Sequence, residues 1–190
     1  MKKRVTTIIQ KSTAALLLGT LAAAVTLLPA ADNLEQMHAD HGSAAPAKLV
    51  QTVRAATVQF INVNAATAAG YQPLFGCVSG PDQGAMGVHY INLSLYGDGQ
   101  LDATRPEAII YEPSANGSLV LVGAEYIVDA ATWLAHNSSP PMLEGQAFQL
   151  VNSPNRYGLP AFFELHVWAW RESPNGAFVD WNTKVSCEGQ

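Results

Sequence analysis

The residues with the clearest potential for chemistry lie in the segment 162-FFELHVWAW-170. Successive side chains of a β-strand point to opposite faces of a sheet, so this segment predicts two faces of different character. One face is apolar and typical of a core, with Phe163, Leu165, Val167 and Ala169. The other face carries Glu164, His166, Trp168 and Trp170. A face that combines a carboxylate, an imidazole and two indoles indicates a partly covered cavity.

Two other predicted strands each place one ionisable residue, His89 or Glu125, in an otherwise apolar run. Charged groups in such runs require partners if they are buried. Neighbouring strands lie about 4.8 Å apart, so these side chains could meet the acidic and imidazole groups of the first segment where register and face agree. Two imidazoles and one or two carboxylates would form a site for a divalent transition metal such as zinc, iron, copper or manganese. The candidate metal ligands are therefore His89, Glu125, Glu164 and His166.

Three functions are compatible with this pattern. The first is an exported domain that binds a small ligand or a transition metal in a sheet cavity, with Tyr90 and Trp168 as candidate ligand-binding residues. The second is an enzyme in which Glu164 orients the imidazole of His166 for proton transfer, with or without a metal. The third is a structural or adhesion module without a cavity, in which the same side chains face solvent or bond to the backbone.

The chain contains two cysteines, Cys77 and Cys187. Exported chains with a single cysteine pair usually join the two in a disulfide. The bridge would close a loop of roughly 110 residues and, in the chain-entropy account, stabilise the fold by about 4 to 5 kcal/mol. The predicted disulfide ties the C-terminal tail to the beginning of the β-rich region.

The N-terminal region predicts export. Residues 1–31 combine a basic start with an apolar run that ends in small residues and a proline, which is typical of a signal peptide. The run approaches the length of a membrane span, so an uncleaved anchor is the alternative, and it would be the only contact with a membrane. Residues 32–46 are polar, small and aperiodic, and predict a disordered linker. Residues 47–190 then form a single predicted domain, secreted or periplasmic.

The charge of the chain bears on its partners. The formal net charge is -5, and no run of lysine or arginine follows the first four residues. Binding to a phosphate backbone depends on clustered basic side chains. We therefore expect no nucleic-acid partner, and a small molecule or a metal ion is the partner that the motifs favour.

The elements that must position the candidate site follow from hydrophobic periodicity. Residues 47–61 predict an amphipathic helix, and Asn64 is expected to cap a short further turn that Gly70 stops. Six β-rich runs follow, at residues 88–93, 107–112, 118–128, 147–151, 162–170 and 177–179. Asn-Gly pairs at 116–117 and 175–176 predict two type I′ hairpins. Asp129 is expected to cap a short helix between them.

This order of elements predicts an α+β fold. The N-terminal amphipathic helix would pack on a curved antiparallel sheet, or an open barrel, of about six strands. A conical sheet with helices and a small jelly roll would fit the same pattern.

Four segments of the mature chain also resemble an uncharacterised family of exported bacterial proteins. They are 70-GYQPLFGCVSGPDQGAMGVHYIN-92, 106-PEAIIYEP-113, 121-LVGAEYIV-128 and 164-ELHVWAWRESPNGAFVDWNTKVSC-187. The resemblance implies bacterial export and a single domain, and it implies no catalytic role. The four candidate metal ligands fall within these segments.

Overall fold

The predicted amphipathic helix opens the part of the chain that the computed structural model describes, residues 47–190. Helix α1 (Lys48–Thr57) is followed by a 3-10 turn (Val58–Ile61) and by α2 (Val63–Ala68). The side chain of Asn62, two residues before the predicted cap, accepts a hydrogen bond from Asn64 N and starts α2. The predicted stop is confirmed, since Gly70 takes a φ of 94°. The signal peptide and linker predicted for residues 1–46 lie outside the described residues.

A six-stranded antiparallel sheet curves around this helical segment as a half-barrel. The described residues contain eight strands, of which six belong to this sheet. They are β1 (Gln72–Gly80), β2 (Gly84–Ile91), β3 (Ala108–Pro113), β4 (Leu119–Asp129), β5 (Met142–Leu143), β6 (Gln146–Ala147), β7 (Gln149–Val151) and β8 (Phe162–Val167). The sheet order is β1-β2-β3-β4-β8-β7, and β5 pairs with β6 in a separate two-stranded sheet. The predicted α+β class, with an N-terminal helix on a curved sheet of six strands, is confirmed.

Two short helices interrupt the strand sequence. Helix α3 (Leu93–Asp98) occupies the end of the run predicted as a strand at 88–93, because the side chain of Asn92 accepts hydrogen bonds from Ser94 N and Leu95 N and begins a helix there. Helix α4 (Ala130–Leu134) begins as predicted at Asp129, whose carboxylate accepts from Thr132 N. None of the helices in residues 47–190 is long and apolar enough to cross a membrane.

The main core lies between α1 and one face of the sheet. Leu49, Val50 and Val53 of α1 are buried there against alternating side chains of the central strands. Tyr111 brings a polar hydroxyl into this core and donates it to the carbonyl of Phe60, so the buried phenol is satisfied. We call this side of the sheet the helix face.

The opposite side, which we call the site face, is covered by the C-terminal segment 171–190 and by the loop around Tyr157. Its buried apolar side chains form two separate clusters. One contains Ala85, Ile110, Val122, Trp168 and Val185. The other contains Ile91, Ala108, Ile127 and Phe162.

The strand β1 was not predicted, because residues 72–80 contain a proline and two glycines that are typical of irregular chain. The strand lies at the edge of the sheet, where proline is tolerated, and its pairing with β2 shifts register twice. The predicted strand at 177–179 was wrong: this stretch belongs to the segment that crosses the site face.

The two Asn-Gly pairs differ in outcome. The pair at 116–117 does connect the antiparallel strands β3 and β4, but only Gly117 has a positive φ, 81°, so the turn is not the predicted type I′. The pair at 175–176 does not join two strands of the sheet, and the second hairpin was wrong.

The predicted disulfide is present. Cys77 on β1 and Cys187 in the C-terminal segment are joined, with their Cα atoms 5.7 Å apart. Asn182 adds a backbone bridge to Ala85 on β2. The bridge and the disulfide together fix segment 171–190 over the site face.

Candidate functional site

The register of the sheet brings the four candidate metal ligands to one face. Glu125 on β4 lies directly opposite His166 on β8, and Glu164 follows two positions away on the same side of β8. His89 comes from β2, on the far side of β3. Its side chain can reach Glu125 because the residue of β3 opposite Glu125 is the small Ala108.

The polar atoms of three of these residues are close together. His89 Nε2 lies 3.3 Å from Glu125 Oε2 and 3.4 Å from His166 Nε2. His166 Nδ1 lies 3.6 Å from Glu125 Oε1. Glu164 shares a hydrogen bond with Glu125 through their carboxyl groups. The predicted meeting of the four side chains is therefore observed.

All four residues are buried, with exposed fractions of 6% for His89, 4% for Glu125, 4% for Glu164 and 1% for His166. The lysine and arginine ion pairs of residues 47–190 lie elsewhere, on Glu144, Asp102 and Glu112. The nearest polar partners of the buried carboxyl groups are therefore imidazoles, and no lysine or arginine of the described residues forms an ion pair with them.

Burial drives these groups toward their neutral forms. Loss of hydration lowers the pKa of His89 to about 4 and holds the pKa of His166 well below its ordinary value, with a further contribution from His89. Burial also raises the pKa of Glu125 well above its usual range, and the nearby Glu164 carboxylate adds to this effect. The pKa of Glu164 is raised to about 7, again mainly by burial.

A fifth ionisable residue, Asp180, was not predicted to belong to the site. Its Oδ1 lies 3.7 Å from His166 Nδ1, and the side chain of Gln149 donates a hydrogen bond to the same oxygen. Asp180 comes from the segment that crosses the site face, so no periodicity in the sequence relates it to the strands. Burial raises the pKa of this carboxyl.

One buried polar atom of the site has no hydrogen-bond partner among the described residues. It is His166 Nδ1, which faces Glu125 and Asp180 at distances too long for a hydrogen bond. Buried side-chain nitrogen atoms are nearly always satisfied, so this atom requires an explanation such as an ion or a water molecule.

Trp168 lies on the site face, as predicted. Its ring stacks on the imidazole of His166 with a centroid distance of 6.1 Å and an interplanar angle of 26°. The indole N–H donates to the carbonyl of Val179. Trp168 is buried in an apolar cluster, and its ring packs against the ring of His166.

Two aromatic residues lie on the helix face, contrary to the sequence interpretation. Tyr90 follows His89 directly in β2, so its ring points to the other side and packs on Tyr111, with centroids 5.1 Å apart. Its grouping with the site is corrected accordingly. Trp170 lies beyond the end of β8, and its indole N–H donates to Thr57 Oγ1 of α1.

An apolar cavity of about 80 Å³ adjoins the site, and we call it the cleft. His89, Glu125 and Glu164 provide its polar floor. Apolar and aromatic side chains of β1, β2, β4, β8, α3 and the loop around Tyr157 provide its walls. A mostly apolar cavity with a few convergent polar groups is typical of small-molecule sites.

Glu107 is a second buried acid that the sequence analysis missed, on the helix face. Its exposed fraction is 1%, its Oε2 accepts a hydrogen bond from Ile127 N at 3.1 Å, and burial raises its pKa to about 7. The folded state therefore keeps a proton that the unfolded chain releases near pH 4.5. The resulting stabilisation is complete below that pH and is lost as the pH rises through about 7.

Replacing Glu107 by glutamine should remove this pH dependence, because the amide oxygen still accepts from Ile127 N but does not ionise. We expect the free energy of unfolding of the wild type, relative to Glu107→Gln, to fall by about 3 kcal/mol between pH 4.5 and 8. Urea unfolding in the presence of a chelator gives the free energy of unfolding of both proteins at each pH. The difference between the two proteins cancels the contribution of the other acids. Parallel pH profiles for the two proteins would contradict the assignment.

The buried histidine and glutamate groups on the curved sheet could thus hold a metal ion. Comparisons with protein families, curated proteins and solved structures find no match to this chain.

Proposed function

We propose that the chain is an exported metal-binding protein in which His89, Glu125 and His166 hold one divalent transition metal ion. One ligand atom from each of the three residues lies within 4.8 Å of the others, and all three residues are buried. The single observation that carries the proposal is this convergence of three separate strands on one point of the site face.

The spacing of the donor atoms supports a shared ion. Metal–nitrogen and metal–oxygen bonds near 2.1 Å at a tetrahedral angle place two ligand atoms about 3.4 Å apart. His89 Nε2 lies 3.3 Å from Glu125 Oε2 and 3.4 Å from His166 Nε2. Two imidazoles and one carboxylate are a donor set that suits Zn²⁺ or Fe²⁺ and leaves at least one coordination position open.

The charges of the site support the same proposal. A divalent cation would compensate the buried carboxylate of Glu125, which has no lysine or arginine partner among the described ion pairs. Glu164 would hold Glu125 in place through their hydrogen bond, as outer partners of metal ligands commonly do. Trp168 would fix the plane of the His166 ring by stacking.

Glu164, His166 and Asp180 form a second group with suitable spacing, and it shares His166 with the first. Asp180 is less buried than the other ligands and already accepts a hydrogen bond from Gln149. We favour the first group because all three of its members are buried.

Export is part of the proposal. Disulfides form and persist mainly in oxidising compartments such as the periplasm or the extracellular space. The Cys77–Cys187 bridge is therefore in keeping with the signal peptide expected from the sequence.

Titration of the metal-free protein with Co²⁺, followed by its visible absorption, tests the site. We expect one ion per chain, a loss of affinity of about 100-fold or more in His89→Gln and His166→Gln, and a much smaller loss in Asp180→Asn. His136→Gln provides the matched control, because His136 is an exposed histidine. Circular dichroism establishes that each variant is folded.

The variants also separate the two groups. A large loss in Asp180→Asn together with nearly unchanged affinity in His89→Gln would place the ion in the second group instead. Unchanged affinity in both His89→Gln and His166→Gln would contradict the proposed function.

A further inference from the structure

We infer that the cleft binds a small molecule with a short, uncharged apolar body and one nitrogen or oxygen atom that ligates the metal. This inference rests on the metal site proposed above. It adds the chemical class of the molecule that would occupy the open coordination position.

The cleft is placed to deliver a ligand to the ion. Two of the three proposed metal ligands, His89 and Glu125, form part of its floor. A coordination position left open by these residues would therefore face the cavity. The second ligand group has Glu164 and Asp180 in place of these two residues; Glu164 also lines the cleft, whereas Asp180 lines a different groove.

The walls of the cleft specify an apolar body. They include Leu74, Ile91, Ile127, Leu159 and Phe162, and the ring of Tyr96. The cavity volume of about 80 Å³ is well above the roughly 10 to 15 Å³ that a single water molecule needs, so the cleft has room for a body of several atoms. This is about half the roughly 150 Å³ of a cavity that holds benzene, so a short alkyl chain fits best.

The backbone at the mouth of the cleft is strained. Phe75 has a φ of 69°, a conformation that bulky residues rarely adopt, and it lies in a bulge where the pairing of β1 shifts between Leu74 and Cys77. The bulge turns its ring over the cleft, where it packs on Tyr157 with centroids 5.4 Å apart. The disulfide at Cys77 anchors the strand beside it. Bulges and strained residues of this kind are concentrated at functional sites, where they direct a side chain.

The floor argues against a negatively charged body. Glu125 and Glu164 line the cleft, and Tyr157 and Phe162 close its side with aromatic surface. A carboxylate on the ligand would be placed near two acidic residues in a poorly hydrated cavity. A body without negative charge avoids this repulsion.

A series of 1-alkylimidazoles, from methyl to butyl, tests the inference on the Co²⁺-loaded protein. The imidazole head binds the ion in every member, so a change in affinity along the series reports the contact of the alkyl chain. We expect affinity to rise about fourfold with each added methylene group, which corresponds to its burial. The charged analogue 3-(imidazol-1-yl)propanoate should lack this gain. Equal affinities across the series, or an equally tight complex with the charged analogue, would overturn the inference.

Two matched variants locate the binding. Phe75→Asn removes the ring and keeps a residue that tolerates a positive φ, so the gain per methylene should fall while Co²⁺ binding is retained. Leu150→Asn removes an equally exposed apolar side chain outside the cleft, since both residues are 46% exposed, and should leave the series unchanged. The same reduction in both variants would overturn the assignment to the cleft. Absence of the Co²⁺ spectrum before any imidazole is added would instead indicate failure of the metal site.

Discussion

Saturating Zn²⁺ should raise the thermal unfolding midpoint of the metal-free protein by about 8 to 16 °C. An ion that binds the folded state alone stabilises it by about 4 kcal/mol at a free concentration 1,000 times the dissociation constant. For a domain of this size each kcal/mol shifts the midpoint by about 2 to 4 °C. Differential scanning calorimetry with and without a chelator measures the shift.

A variant of His166, the ligand shared by both groups, provides the control. His166→Gln removes a donor from both possible ligand groups, so Zn²⁺ should leave its midpoint nearly unchanged. His136→Gln should respond like the wild type, since this histidine is exposed. An equal shift in wild type and His166→Gln would mean that zinc acts elsewhere on the chain.

Removal of the Cys77–Cys187 disulfide should lower the free energy of unfolding by about 4 to 5 kcal/mol in the chain-entropy account. The bridge joins residues that are 110 positions apart, so its loss releases a very long loop in the unfolded chain. The double variant Cys77→Ser with Cys187→Ser avoids free thiols, and urea unfolding of both proteins gives the difference.

Loss of the disulfide should leave the proposed metal ligands in place. Cys187 holds the segment that carries Asp180, whereas His89, Glu125 and His166 are held by the sheet itself. We therefore expect the double variant to bind Zn²⁺ with nearly wild-type affinity at a temperature where it is folded. A loss of stability below 1 kcal/mol would contradict the entropic argument, even if metal binding were retained.

The strand β8 explains why half of the site could be predicted from the sequence. Strict alternation holds through Phe162–Val167, so Glu164 and His166 share a face as the period of two requires. The strand ends after Val167, and Ala169 N bonds back to Val167 O as the chain turns. This turn carries Trp170 to the helix face. The ability of its indole N–H to donate a hydrogen bond does not predict the turn.

The other errors have different causes. Tyr90 is adjacent to His89 in β2, and the period of two already assigns it to the opposite face; the sequence contained this information. Asp180 reaches the site through a tertiary contact of segment 171–190, which neither periodicity nor turn residues encode. His89 reaches Glu125 across β3 because Ala108 is small. This contact could be predicted from the sequence only if the strand order were known.

The position of the four candidate ligands between two apolar clusters bears on their role. Their imidazoles and carboxyl groups form a polar layer between two apolar clusters. Ile110 and Val122 belong to one cluster, and Ile127 and Phe162 belong to the other. Apolar side chains of similar volume at these positions would commonly be as stable or more stable. Packing alone therefore does not explain the polar layer, whose side chains could hold an ion.

Anomalous diffraction from crystals of the Zn²⁺-loaded protein, recorded on both sides of the zinc absorption edge, tests this account most directly. We expect one strong peak about 2.1 Å from a nitrogen of His89, a nitrogen of His166 and a carboxylate oxygen of Glu125. A site face with no peak, in crystals whose protein shows the same arrangement of these three side chains, would contradict the proposed metal centre.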